Sequence, residues 1–81
     1  MKQVLIVEDQ RMPRKYMESM ISDSKYYALA ASISGADVAL AYCKGQMIDL
    51  ILMDVCTSGN KDGIEAAAEI KAAFPDIKIL I

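Results

Sequence analysis

The sequence predicts an α/β domain built on a parallel β-sheet. Three observations carry that expectation. Two uninterrupted aliphatic runs, Val4-Leu5-Ile6-Val7 and Leu50-Ile51-Leu52-Met53, are each followed at once by acidic residues. Runs of that kind suit strands buried on both faces, as in parallel sheets flanked by helices. The segments between and after them carry apolar residues at helical spacing. Ala, Ile, Leu and Met are plentiful while aromatic residues make up 6%, which suits Ala-rich helices on an aliphatic sheet.

Taken in order, Val4–Val7 is the first strand, closed by Glu8-Asp9. Gln10–Ser22 reads as a helix with Pro13 tolerated in its first turn. Its Met12, Tyr16, Met17, Met20 and Ile21 recur every three to five residues and are expected to face the sheet. After the loop Ser22-Asp23-Ser24-Lys25, residues Tyr27–Ile33 form a second strand. Its Ala content makes it a weak one that needs a stronger neighbour. Ser34-Gly35-Ala36-Asp37 is a turn and helix start, and the helix runs to about Lys44, with Gly45 as its stop.

Leu50–Met53 is the third strand, followed by an Asp54–Asp62 loop. Asp62 is placed to cap a third helix over Gly63–Ala73. There Gly63, Ala67, Ile70 and Phe74 share a face, and Glu65, Glu69 and Lys71 face water. Phe74-Pro75-Asp76 ends that helix, and Lys78-Ile79-Leu80-Ile81 begins a fourth strand. The order β-α-β-α-β-α-β implies right-handed crossovers. Because the chain stops on apolar residues in mid-strand, Ile81 reads as a truncation point.

Composition narrows the function classes. Eighty-one residues make one small domain. A net charge of −2 leaves no basic footprint, so no direct nucleic-acid contact is expected of this segment. There is no His, and Cys43 and Cys56 fit no Cys-x-x-Cys spacing. That argues against zinc, a Cys–His nucleophile and a Ser–His–Asp triad. Thiols in such a chain suit a reducing cytoplasm. The N-terminal apolar run is too short for a signal peptide, which needs roughly 7–15 residues, or for a membrane span of about 20. A cytoplasmic location without membrane contact is expected.

The candidate chemistry lies in the acidic residues. If the first and third strands are adjacent and parallel, Glu8, Asp9 and Asp54 converge on the carboxyl edge of the sheet, where such folds bind ligands. Like charges about 4 Å apart repel by roughly 4 kcal/mol at an effective dielectric near 20. A cluster of that kind favours a divalent cation, and hard oxygen donors select magnesium over zinc or copper. Magnesium with open positions for phosphate oxygens suits phosphoryl transfer. Bland readings exist for each part: Asp9 as a cap of the first helix, Asp54 as a turn residue bonding its own backbone. The two acidic sites in register on buried strands favour the metal site over those readings.

The order and spacing of Val4-Leu5-Ile6-Val7-Glu8-Asp9, Ser34-Gly35-Ala36-Asp37-Val38-Ala39-Leu40, Asp49-Leu50-Ile51-Leu52-Met53-Asp54 and Asp62-Gly63-Ile64 resemble the receiver domain of bacterial two-component response regulators. The resemblance implies a flavodoxin-like (CheY-like) parallel sheet of strand order 2-1-3-4, with residues 1–81 forming a partial receiver of about four strands and three helices. It implies that Asp54 is the phospho-acceptor, taking a phosphoryl group from a histidine kinase with Mg2+. Glu8 and Asp9 match the metal-binding acidic pair, and Cys56 matches the position whose backbone carbonyl completes the metal shell. An effector domain, DNA-binding in many such proteins, is expected beyond this segment.

The chain also departs from the family pattern. Ser58 stands where a Pro is usual, and Asp62-Gly63 lies one residue late, so Val55–Lys61 carries an insertion. The family's switch Ser/Thr and phosphate-pairing Lys would fall after Ile81. The segment is therefore expected to phosphorylate slowly or not at all by itself. Its open fourth strand is expected to pair with a second copy or to exchange elements.

By this reading the domain is a switch with only self-directed phosphotransfer, not an enzyme acting on other substrates. Two alternatives remain: a receiver-like module used for protein contacts without phosphorylation, and an aspartyl-phosphate hydrolase of the haloacid dehalogenase type. The latter family has a second Asp and a Thr where this chain has Cys56 and Ser58.

Overall fold

The computed structural model describes residues 1–53 and 63–81. The chain forms β1 (Lys2–Val7), α1 (Arg11–Ser22), β2 (Tyr27–Ile33), a 3-10 turn (Ala36–Val38), α2 (Ala39–Gly45), β3 (Leu50–Met53), α3 (Gly63–Ala73) and β4 (Lys78–Leu80). The strands lie in one sheet in the order β2-β1-β3-β4, and each neighbouring pair is parallel. The expected strand order is thus the observed one. β1 and β3 take the centre because they are the aliphatic runs, able to be covered on both faces. The Ala-rich β2 lies beside β1 and carries a register shift opposite Val4/Leu5.

Alternation along the strands divides the interior into two layers. Leu5 and Val7 of β1, with Ile51 and Met53 of β3, point to the side covered by α2 and α3. There they pack with Ile33, Ala36, Ala39, Cys43, Ala66 and Ile70. Val4 and Ile6 point the other way and meet Ile21, with Met17, Leu50 and Leu52 half-buried around them. Each side chain from Val4 to Val7 is 0% exposed. Burying such aliphatic side chains contributes about 1.5–3 kcal/mol each, so β1 is the structural spine of the domain.

The stripe expected on α1 is corrected. Ile21 is buried and Met17 half-buried, but Met12, Tyr16 and Met20 are 76, 69 and 47% exposed. At 100° per residue, Met12 lies roughly 180° and Tyr16 roughly 140° from Ile21 around the helix, so spacings of three to five drift off the inner face. The positions that share the sheet side with Ile21 and Met17 include Arg14 and Glu18, which make polar contacts there.

Other boundaries shift modestly. β1 begins at Lys2, whose N–H donates to the Tyr26 carbonyl at 3.0 Å. The turn at 34–37 continues as a 3-10 turn before α2. Gly45 is the last residue of α2, and the chain becomes extended at Gln46. On α3, Gly63, Ala66 and Ile70 are buried, Ala67 is half-buried like Phe74 just past its end, and Glu65, Glu69 and Lys71 are exposed. Although exposed, Lys71 closes the α3–β4 connection: its Nζ donates to the carbonyls of Ile77 at 2.6 Å and Pro75 at 3.0 Å. The proposed cap Asp62 lies outside the described residues.

Candidate functional site

β1 and β3 are adjacent and in register, with Val7 opposite Met53. The two central strands therefore run out side by side at one edge of the sheet, and Glu8 and Asp9 stand where β1 ends. Glu8 is 6% exposed, the one buried charged residue among those described. A buried carboxylate is costly unless it is hydrogen-bonded.

Among the described residues, three hydrogen bonds hold Glu8. Its N–H donates to the Ile33 carbonyl at the end of β2, 2.9 Å away. Its side-chain Oε2 accepts the Gln10 N–H at 3.0 Å, just ahead of α1. Its carbonyl accepts from Arg14 Nη1 at 3.1 Å. No acidic residue lies in the first turn of α1, and the Glu8 carboxylate accepts the N–H of Gln10 just ahead of it. Asp9 is half-buried, and its Oδ1 atom is itself buried. The residue at the N-cap position of α1 is Gln10, whose side chain makes no capping bond.

Arg14 is anchored in turn. Its Nε lies 3.8 Å from Glu18 Oε2, an i,i+4 pair along α1. The same carboxylate oxygen accepts the Ser32 hydroxyl of β2 at 2.7 Å. A chain of polar contacts thus links β2, the inner face of α1 and the Glu8 backbone. Sequence reading missed these three residues. The Arg14/Glu18 spacing was a signal in plain view, but nothing local to Ser32 marks its bond to a residue fourteen positions earlier.

Of the candidate site residues, Glu8 and Asp9 are at the expected edge. Asp54 and Cys56 lie outside the described residues. Among the described residues no group of three or more His, Cys, Asp or Glu is gathered as a metal cluster. The donors that are described, two adjacent carboxylates at a strand end, are hard oxygen ligands of the kind magnesium takes. Also among the described residues, no helix is long and apolar enough to cross a membrane.

Strand order 2-1-3-4, parallel pairing and an acidic pair at the carboxyl end of the first strand define a flavodoxin-like α/β domain with its candidate site at the sheet edge. The model of the response regulator receiver domain family matches residues 4–81, and the chain belongs to that family, whose members are signalling switches. It is 28% identical over 78 residues to the response regulator UvrY of Escherichia coli, covering 96% of this chain and 35% of UvrY. It is 28% identical over 81 residues to the chemotaxis protein CheY of Listeria monocytogenes, covering 100% of this chain and 66% of CheY. The chain therefore spans about a third of the one relative and just under two thirds of the other. In fold it is similar to RcsB from Salmonella enterica serovar Typhimurium, solved bound to a promoter in the presence of the phosphomimetic BeF3−. That match has a TM-score of 0.85 at 18% identity, over 96% of this chain and 39% of RcsB.

Proposed function

We propose that this receiver accepts a phosphoryl group on Asp54 from a histidine kinase, with Mg2+ held by Glu8, Asp9 and the Cys56 backbone carbonyl. The observation that carries the reading is the β1–β3 register, with Val7 opposite Met53, the residue before Asp54. A carboxylate is a weak nucleophile toward phosphorus, so the protein's task is to orient it and to balance charge. An Asp54 oxygen attacks the phosphorus of a phosphohistidine. A P–O bond forms as the P–N bond breaks, and the imidazole leaves with the electron pair and takes up a proton. When bound, Mg2+ supplies charge neutralisation for the moving phosphoryl group. Glu8, tied through its backbone to β2 and α1, offers its carboxylate from a fixed position.

The names of the relatives support a response-regulator role, and the promoter-bound RcsB supports a DNA-binding effector as the output partner of the whole protein. This segment, with net charge −2, is the input side and does not itself contact DNA. Phosphotransfer is directed to its own Asp54 alone.

Prolonged incubation with acetyl phosphate and Mg2+, read by intact mass, tests the proposal. A gain of one phosphoryl group, slow but dependent on Mg2+ and absent from Asp54→Asn, is expected. A gain that does not depend on Mg2+, or that Asp54→Asn shares, would overturn the proposal.

A further inference from the structure

We propose that Arg14 is the positioning residue of the acidic edge: through the Glu8 carbonyl it sets how Glu8 and Asp9 present their carboxylates to a divalent cation. The inference rests on the magnesium reading above but concerns a residue which that reading does not use. Three observations carry it. Arg14 Nη1 donates to the Glu8 carbonyl at 3.1 Å, across the turn between β1 and α1. Its Nε is 3.8 Å from Glu18, which also holds Ser32 of β2 at 2.7 Å. The other backbone group of Glu8, its N–H, is bound to β2 at Ile33. Both peptide groups flanking the Glu8 side chain are therefore referred to β2, one directly and one through Arg14, Glu18 and Ser32.

Arg suits this task because its planar fork can meet a carbonyl and a carboxylate at once, whereas a Lys ammonium on a flexible stem meets one of them poorly. With the guanidinium gone, the Glu8 carbonyl loses the contact that turns the Glu8–Asp9 peptide, and the aim of the two carboxylates shifts. Outer contacts of this kind orient metal ligands that they do not themselves extend.

The sign of the effect separates positioning from charge. Removing a positive group beside an acidic pair would, by electrostatics alone, tighten cation binding. Positioning predicts the reverse. Replacement by Lys keeps the charge, so a purely electrostatic role predicts no change there, and positioning predicts weakening.

The experiment is a Mg2+ titration followed through backbone amide resonances of residues 8–10, for the wild type, Arg14→Lys, Arg14→Met and Glu18→Gln. Thermal unfolding and amide exchange without metal are measured alongside. Loss of affinity by about tenfold is expected in Arg14→Met and Arg14→Lys, at the lower end of what losing an outer-shell partner costs. A smaller loss is expected in Glu18→Gln. Wild-type affinity in both Arg14 variants, or tighter binding in Arg14→Met, would overturn the proposal. So would a fall in unfolding temperature with the Kd unchanged below it. If the wild type shows no saturable response to Mg2+, the metal reading itself fails, and the exchange of the Gln10 amide then decides. Faster exchange in both Arg14 variants at unchanged global stability would support positioning of the Glu8 carboxylate; equal exchange would sink it.

Discussion

Asp49 and Gln3 hold each other at two points: the Gln3 N–H donates to Asp49 Oδ2 at 2.7 Å, and the Asp49 N–H donates to the Gln3 carbonyl at 2.8 Å. The Asp49 carbonyl also accepts the Lys78 N–H at 3.1 Å. One residue ahead of β3 thus aligns β1, β3 and β4 at the amino edge of the sheet. The candidate site lies at the opposite edge, and its register depends on this clamp.

Asp49→Ala leaves the Gln3 N–H without its side-chain acceptor. A hydrogen bond to a charged group contributes about 1.5–3 kcal/mol, and a loss of that size is expected in chemical denaturation. Asp49→Asn keeps an acceptor oxygen and should lose less. Equal losses in the two variants would contradict the clamp.

Ile51, 0% exposed at the centre of the larger core layer, is expected to be the costliest position to truncate. Ile51→Ala should lower unfolding free energy by about 2–5 kcal/mol, a large part of a small domain's stability. Ile64→Ala, at a position 65% exposed, should change it by less than about 0.5 kcal/mol.

Replacing Glu8 by Gln separates stability from function. The amide oxygen can still accept the Gln10 N–H, while the buried charge is removed. Stability is expected to stay within about 1 kcal/mol or to rise, because a neutral group costs less to bury. Magnesium binding, followed by the same amide resonances, is expected to be lost. Unchanged binding would remove Glu8 from the metal site.

Burial pushes the Cys43 thiol above its ordinary value of 9.0. The folded state favours the neutral thiol, so the stability it contributes is fully present below pH 9.0 and is lost as pH rises through the higher folded value. In a Cys56→Ser background, Cys43 should react with a thiol reagent at pH 8 far more slowly in the native state than in denaturant. Equal rates would show that Cys43 is not shielded.

How much of this was legible in the sequence differs from element to element. β1 and β3 could be read outright, because a strand buried on both faces must be apolar at successive positions. α3 was also clear, with Glu65, Glu69 and Lys71 outside and Gly63 and Ile70 inside. The α1 face was misread because Met12 and Tyr16 are apolar in composition yet point away from the sheet, while Met20 stands at its margin, half exposed beside Leu52 and Leu80. Their exposure follows from angular position, which loose spacings of three to five do not fix. Glu8 and Asp9 were identifiable as candidates from their place after an aliphatic run, but the contacts that hold Glu8 were not.

By itself, then, the sequence determined the α/β class, the parallel sheet and the acidic end of β1, because these depend on local pattern and on which runs are apolar enough for burial on both faces. Only the tertiary structure decided how that acidic end is held. Ile33 bonds Glu8 from another strand and Arg14 from the inner face of a helix, with Glu18 and Ser32 backing Arg14. Such bonds are set by how α1 packs across β1 and β2, a geometry that no spacing along the chain encodes.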